Sequence, residues 1–302
     1  MPLDANAVPR RAVVVRRSTE YEQLLARHAT RGQAAFFLRT RGEDIEPVED
    51  RHRSFERARA DVLAAIPPKW RRIELERTDL DRFLFERDDI VVALGQDGLV
   101  ANVAKYLVDG QPVIGVNPDP TRFEGVLVRH PPEAAADLLA DVSSERAARE
   151  ERTMVECLLD DGQSLVALNE IFLGHASHQS ARYELRVGER AERQSSSGLI
   201  VATGTGQTGW CRSIRTERQS TLYEPSPTES ALTLFVREAW PSVETGAELT
   251  EVLLGEAAAV VTSLMETGGR IFGDGIETDH LDLSWGARAS LGVAAQRLQL
   301  VV

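Results

Sequence analysis

The sequence predicts an α/β domain followed by an all-β domain. The first is a Rossmann-like parallel α/β fold over residues 1–130, the second a β-sandwich-like fold over 131–302. Three observations predict this. Up to residue 116, short apolar runs alternate with segments of helical periodicity. The run at 89–94 is continuously apolar after its first residue, as in a strand covered by helices on both faces. Beyond residue 150, short apolar runs are separated by Asp-Gly and Gly-Glu turns.

Residues 12–15, three valines after an alanine, form a short buried strand. Thr19-x-x-Glu22 then opens a helix with a capping box, in which each side chain bonds the other residue's backbone N–H. The segment 48–66 has helical periodicity and stops at Pro67-Pro68, where the helix cannot continue. Residues 72–76 read as a strand, and Asp79 as the N-cap of a helix. The strand 89–94 runs into Gly95-Gln96-Asp97-Gly98, a helix to Leu107 and a strand at 112–116, which is a βαβ unit. An alanine-rich helix follows at 132–141. In the second domain, 154–159, the turn Asp161-Gly162 and 164–173 read as a hairpin. Strands follow at 182–187, 199–201, 232–236, 249–254, 257–264, 280–285 and 298–302, with a polar break at 217–230. The last strands are expected to return to the first domain.

Composition excludes several classes. Only two of the 35 cations are lysines, Lys69 and Lys105, and neither ends a glycine-rich turn. A Walker-type phosphate loop is therefore ruled out. The net charge of −12 argues against nucleic acid as a partner. Residues 1–72 carry +5 and the remainder −17; Arg51, Arg53, Arg57 and Arg59 flank Phe55 at helical spacing. These arginines suit a solvated helix face or the steering of anions. No apolar run approaches the roughly 18 residues of a membrane span, so no membrane partner is expected. The opening residues lack the apolar stretch of a secretory signal. Cys157 and Cys211 match no metal spacing. A reduced, cytoplasmic protein is expected.

Three patches could carry chemistry. Gly95-Gln96-Asp97-Gly98 lies where ligands bind in open α/β sheets, at the C-terminal end of a parallel strand. Its glycines allow close backbone approach to a phosphate at a helix N-terminus. Asp97 would repel that phosphate unless it holds Mg²⁺ or accepts a proton; an ordinary strand-to-helix turn suits the same residues. Asn169-Glu170 interrupts an apolar strand, which is costly if buried without partners, or else marks an exposed strand end. Residues 204–209 spell G-x-G-x-x-G, the dinucleotide fingerprint, with Glu224 at about the expected distance. A β-rich context and Pro225-Ser226-Pro227 after Glu224 argue against that reading. The hydroxyl-rich stretch Thr203 to Trp210 looks more like a loop gripping polar ligand groups. His175 and His178 lack an evident third metal ligand. Asp274-Gly275 and Asp109-Gly110 read as turns, and Trp240-Pro241 as packing.

In this order and spacing the three patches resemble the NAD kinases. That family carries Gly-Gly-Asp-Gly-Thr, then Asn-Glu, then Asp-Gly, a strand and Thr-Pro-Thr-Gly-Ser-Thr-Ala-Tyr. The corresponding residues here are Gly95 to Leu99, Asn169-Glu170, Ser197-Gly198 and Thr203 to Trp210. The flanks PVIGVNPDPTRFEG, ALNEIFLG, QSSSGL and VATGTGQTGW look most like the mitochondrial-type branch. The resemblance covers roughly residues 85–302. Gln96 and Leu99 depart from the first motif, Gln207 from the last, and Ser197 replaces the aspartate of most members.

The resemblance implies transfer of the γ-phosphoryl of ATP, or of polyphosphate, to the 2′-hydroxyl of the NAD adenosine ribose. By analogy Asp97 accepts the hydroxyl proton and organises Mg²⁺. An ordinary aspartate is a weak base for an alcohol, so positioning and charge neutralisation dominate in a loose transition state. Gly95 and Gly98 supply backbone contacts. Asn169 and Glu170 bind the ribose or adenine, and Thr208 with its neighbours Thr205 and Trp210 lines the nicotinamide side, with Ser197 among the binding residues. The cofactor and partners expected are Mg²⁺, ATP and NAD, in a homo-oligomer. The rivals are a silent nucleotide-binding module, a same-fold kinase acting on a lipid or sugar hydroxyl, and a dehydrogenase built on residues 204–209.

Overall fold

The structure, a computed structural model, describes residues 10–302. The reading of the opening segment as free of a secretory signal rests in part on residues 1–9, outside the described residues. The chain divides into two compact units, one running to Glu150 and including Gln299–Val302, the other Glu151–Leu298. The division falls after 150 where the pattern of the sequence changes at 130, because the helix in between packs into the first unit's core.

The first unit contains β1 (Arg11–Arg16), α1 (Glu20–His28), α2 (Arg31–Arg39), α3 (Glu46–Ala65), β2 (Arg71–Glu76), β3 (Ile90–Leu94), α4 (Asp97–Ala104), β4 (Pro112–Val116) and α5 (Ala135–Ser143). Its strands pair in parallel in the order β2-β1-β3-β4, and Gln299 and Leu300 pair in parallel with β4. Phe55, Ala58 and Val62 of α3 and Leu139 and Val142 of α5 pack on Val14, Val92 and Ile114. Helix α4 packs against β1, β3 and β4, and every residue of β3 is buried. The continuous apolar run at 89–94 thus has its cause. Its first residue, Asp89, is fully buried and takes a two-pronged bond from Arg11, at 2.6 and 2.5 Å. That pair ties the start of β1 to the start of β3.

The capping box forms: the Glu22 N–H donates to Thr19 Oγ1 at 3.3 Å and the Thr19 N–H to Glu22 Oε2 at 2.7 Å. Asp79 does not cap a helix. Residues Arg77–Arg82 make a short 3₁₀ turn after Glu76, with no side-chain cap and only Leu80 buried. One apolar anchor does not sustain an amphipathic helix. Helix α2 has no counterpart in the sequence reading; Thr30 caps it through the Gln33 N–H, and Ala34 and Leu38 bury one face.

The second unit contains two sheets. Strands β5 (Arg149–Leu159), β6 (Ser164–Ala167), β8 (Ala181–Val187), β9 (Arg190–Ser196), β13 (Ala259–Ser263) and β16 (Arg288–Val301) belong to the first; β5 and β16 run on at one end beyond the unit boundary. Strands β7 (Glu170–His175), β10 (Leu199–Ala202), β11 (Leu232–Val236), β12 (Glu251–Leu254), β14 (Gly269–Gly273) and β15 (His280–Asp282) form the second, all antiparallel, in the order β12-β11-β10-β7-β14-β15. Apolar side chains of both sheets, among them Leu165, Tyr183, Val261, Ile171, Val201 and Leu234, share one buried core. Helix α6 (Trp210–Arg218), not anticipated from the sequence, sets Cys211 and Ile214 on Phe172, Ile200 and Phe235. Among the described residues no helix is long and apolar enough to cross a membrane.

Candidate functional site

In the first unit the loop after β3 is fixed by its own backbone and by one carboxylate. The Gly95 N–H donates to Val116 O at 3.0 Å. Asp97 opens α4, and its carboxylate accepts three successive backbone N–H groups, from Val126 to Oδ2 at 3.0 Å and from Leu127 and Val128 to Oδ1 at 2.8 and 3.0 Å. An ionised carboxylate offers about four acceptor positions, so about one remains for another donor. The segment that Asp97 holds is pressed against β4 at Gly115, where a Cβ would overlap the Leu127 carbonyl. A Cβ on Gly98 would meet nothing within 4 Å, and Gln96 is exposed. Leu99 is buried, its Cδ2 3.1 Å from where a Cβ on Gly95 would stand. Where the family motif has a threonine hydroxyl, this chain packs an apolar side chain on the glycine.

In the second unit the run 164–173 is not one strand. It breaks at Leu168 and Asn169, between β6, which pairs with β5, and β7, which pairs with β10 and β14. The backbone groups at the break have side-chain partners. Asp274 accepts the Leu168 N–H at Oδ2 (2.9 Å) and the Asn169 N–H at Oδ1 (2.7 Å). Opposite, Thr203 Oγ1 donates to Leu168 O at 2.6 Å, and the Thr203 N–H donates to Asn169 O at 2.9 Å. This arrangement resolves the difficulty of two adjacent polar residues in an apolar strand: Asn169 precedes the strand and Glu170 begins it. Burial first, then the neighbouring Asp274 carboxylate, pushes the Glu170 carboxyl up to about 7.

The stretch Thr203 to Trp210 is a 3₁₀ turn, Thr205–Thr208, leading into α6. A Cβ on Gly206 would overlap the Asn169 carbonyl, so the turn rests directly on the break. Gln207, in place of the family's usual residue, ties the turn to β11 by donating to Thr203 O at 3.0 Å and Thr233 Oγ1 at 2.8 Å. Thr205 is buried, with Arg152 donating to its hydroxyl at 3.4 Å, whereas Thr208 is exposed. Strand β10 runs antiparallel to both neighbours, which removes the dehydrogenase reading: that fingerprint needs two parallel strands.

Ser197 and Trp210 line one cavity of about 370 Å³ with Phe172, His175, Arg237 and Phe272. Trp210 stacks on Phe172, centroids 5.6 Å apart and planes at 13°, and the Arg237 guanidinium lies 4.9 Å from the indole centroid. His178 lines the same cavity. Among the described residues no group of three or more His, Cys, Asp or Glu side chains could hold a metal ion. Within the second unit, then, Asn169, Glu170, Thr203 and Gly206 come together, Ser197 and Trp210 share a wall, and Thr208 stands apart. Asp274 was missed by the sequence reading; its one signal was an Asp-Gly pair, indistinguishable there from a turn.

No protein-family model matches the chain. Mitochondrial NAD kinase 2 of Homo sapiens is 28% identical over 303 residues, covering 84% of this chain and 67% of that protein. The Rattus norvegicus protein of the same name is 29% identical over 263 residues, 70% of this chain and 62% of its own length. The NAD kinase of Hydrogenovibrio crunogenus is 34% identical over 146 residues, 46% and 49% of the two chains. The chain is similar to NAD kinases over most of its length. It spans about two thirds of the length of the mammalian relatives. Yeast NADH kinase, solved in complex with NADH, shares the fold of this chain, with a TM-score of 0.57 at 17% identity over 98% of this chain and 84% of that one.

Proposed function

We propose that the chain is a kinase that transfers the γ-phosphoryl of ATP to the 2′-hydroxyl of the NAD adenosine ribose, giving NADP. The observation that carries this is the similarity to NAD kinases together with the presence of Asp97-Gly98 and Asn169-Glu170 in a fold shared with an NADH kinase. In this reading Asp97 is the catalytic residue. Three amides hold its carboxylate in place, leaving one acceptor position for the attacking hydroxyl. Its contribution is to orient that hydroxyl and take its proton late, as a loose phosphoryl-transfer transition state requires. Gly98 presents open backbone to the donor's phosphates, and Gly95, its N–H bonded to Val116 O, lets the turn approach them. Asn169 and Glu170 bind the NAD ribose or adenine, and the Ser197–Trp210 cavity and the hydroxyls of Thr205 and Thr208 serve the rest of the dinucleotide.

Mg²⁺ is expected with this chemistry. The residues present do not form a resident cage for it: three of the Asp97 acceptor positions are taken, and among the described residues no cluster of ligating side chains surrounds it. Mg²⁺ is usually held by one or two carboxylates plus substrate phosphates. We therefore place it with the substrate, as Mg-ATP. Polyphosphate as alternative donor, homo-oligomeric assembly and a cytoplasmic location belong to the same proposal.

The test is NADP formation by the purified chain with NAD and Mg-ATP or polyphosphate, read through a coupled NADP-specific dehydrogenase. Turnover is the expected result. No NADP above background with either donor refutes the reading and leaves the silent-module alternative.

A further inference from the structure

The break at Leu168 and Asn169 is held from one side by a single residue on a different part of the chain. Asp274 follows β14, and besides accepting the Leu168 and Asn169 N–H groups it donates its own N–H to Glu170 O at 3.0 Å. It thus bonds three successive residues, two of which are the Asn-Glu pair. Its backbone is at φ +52°, and Gly275 at +69°, so the turn that aims the carboxylate adopts a left-handed conformation uncommon for a non-glycine residue. Burial and the Asp274 charge, with no hydrogen bond among the causes, set the state of the Glu170 carboxyl.

We propose that Asp274 is a positioning residue for the acceptor: by fixing the backbone of residues 168–170 it sets where the Asn169 amide and the Glu170 carboxyl meet the dinucleotide. It governs affinity for NAD and leaves the transfer step itself to other residues. The proposal rests on the reading of Asn169 and Glu170 as NAD contacts. Two further observations support it. Gly206 leans on the Asn169 carbonyl, so a displaced break also moves the Thr203–Trp210 turn. The charge of Asp274 acts on Glu170 through space, and the other titrating group that interacts with Glu170 is the Cys211 thiol, neutral because burial pushes it up to about 12.

The test compares Asp274→Asn and Asp274→Gly, both of which tolerate a left-handed backbone, with Glu192→Gln. Glu192 makes the same kind of bond in the same unit, accepting the Glu248 and Leu249 N–H groups at 3.1 and 2.9 Å, outside the proposed site. Both Asp274 variants are expected to raise KM for NAD about tenfold or more, with kcat within about threefold and KM for ATP unchanged. Asp274→Asn also moves the Glu170-dependent limb of the KM–pH profile to lower pH, since removing a neighbouring negative charge eases ionisation. Glu192→Gln leaves KM and its pH profile unchanged. An unchanged KM for NAD in the Asp274 variants, or an equal change in Glu192→Gln, overturns the proposal. If the Asp274 variants do not fold, hydrogen exchange in the unaltered protein decides: bound NAD is expected to slow the Leu168 and Asn169 amides selectively, and unchanged rates overturn the proposal. If the unaltered protein binds NAD without making NADP, the functional reading fails and the dissociation constant for NAD replaces KM. If it neither binds NAD nor makes NADP, both readings fall.

Discussion

Two aspartates, one in each unit, hold a neighbouring segment by accepting consecutive backbone amides. Asp97 takes those of Val126, Leu127 and Val128; Asp274 takes those of Leu168 and Asn169. The bonds are of one kind, yet the sequence showed only one of the two residues as functional. Asp97 sits in a glycine-flanked turn at the end of a parallel strand, so its surroundings along the chain already suggest ligand binding. Asp274 lies some hundred residues from what it holds. The difference is between a residue that meets the substrate and one that shapes the segment meeting it, and substitutions separate the two roles.

The largest effect is expected at Asp97. Asp97→Asn keeps the size of the side chain but offers fewer acceptor positions and places an amide where N–H groups point. We expect NADP formation to fall about a thousandfold, within the range for losing a positioned acid–base group, while far-ultraviolet circular dichroism is unchanged. Loss of no more than about threefold would assign Asp97 to the loop alone and make it the counterpart of Asp274.

Next is Gly206→Ala. The added Cβ would overlap the Asn169 carbonyl, a backbone atom that cannot rotate away. Overpacking of this kind costs about 1–3 kcal/mol, at the upper end here, readable as a lower urea midpoint. KM for NAD should rise with it, because the turn and the break move together. A drop in stability with unchanged KM would separate the turn from the binding pair.

Glu170→Gln gives the pH signature. The folded-state carboxyl titrates near 7, against an ordinary value of 4.5. A raised carboxyl contributes stability that is fully present below 4.5 and is lost as pH rises through 7. The glutamine variant should therefore be more stable than the parent at pH 8, by on the order of 2 kcal/mol after discounting for partial exposure. The advantage should vanish as pH falls below 4.5. Parallel stability–pH curves would show that Glu170 is not strained by burial.

The same residues show how far the sequence could be read. The βαβ unit with its Asp97 turn and the change to β structure were legible because each is set by local periodicity and turn chemistry. Helix α2 and strand β9 were not, since the one is short, the other polar, and they are held by packing and edge pairing respectively. The run 164–173 misled because it is apolar on both sides of Asn169. That the chain changes sheets there depends on Asp274 and Thr203, and nothing near residue 168 announces them. The Asn-Glu pair was visible, but the reason it can exist in that place was not.

Thr203 supplies the smallest and most discriminating test of the comparison. It satisfies the break from the side opposite Asp274, its hydroxyl donating to Leu168 O and accepting from the Thr205 N–H at 3.1 Å. Thr203 is fully buried, so Thr203→Val keeps the shape and removes only the hydroxyl. A neutral hydrogen bond contributes about 0.5–1.5 kcal/mol and a charged one about 1.5–3. With at least two such bonds lost, the valine variant should give up about 1–3 kcal/mol in urea unfolding, less than Asp274→Asn, and Thr203→Ser should recover most of it. The Asn169 carbonyl keeps its bond from the Thr203 N–H in either variant. KM for NAD should accordingly move much less than in Asp274→Asn. If the neutral side of the break mattered as much as the charged side, its bare geometry would be what counts; if it matters less, Asp274 contributes charge as well as position.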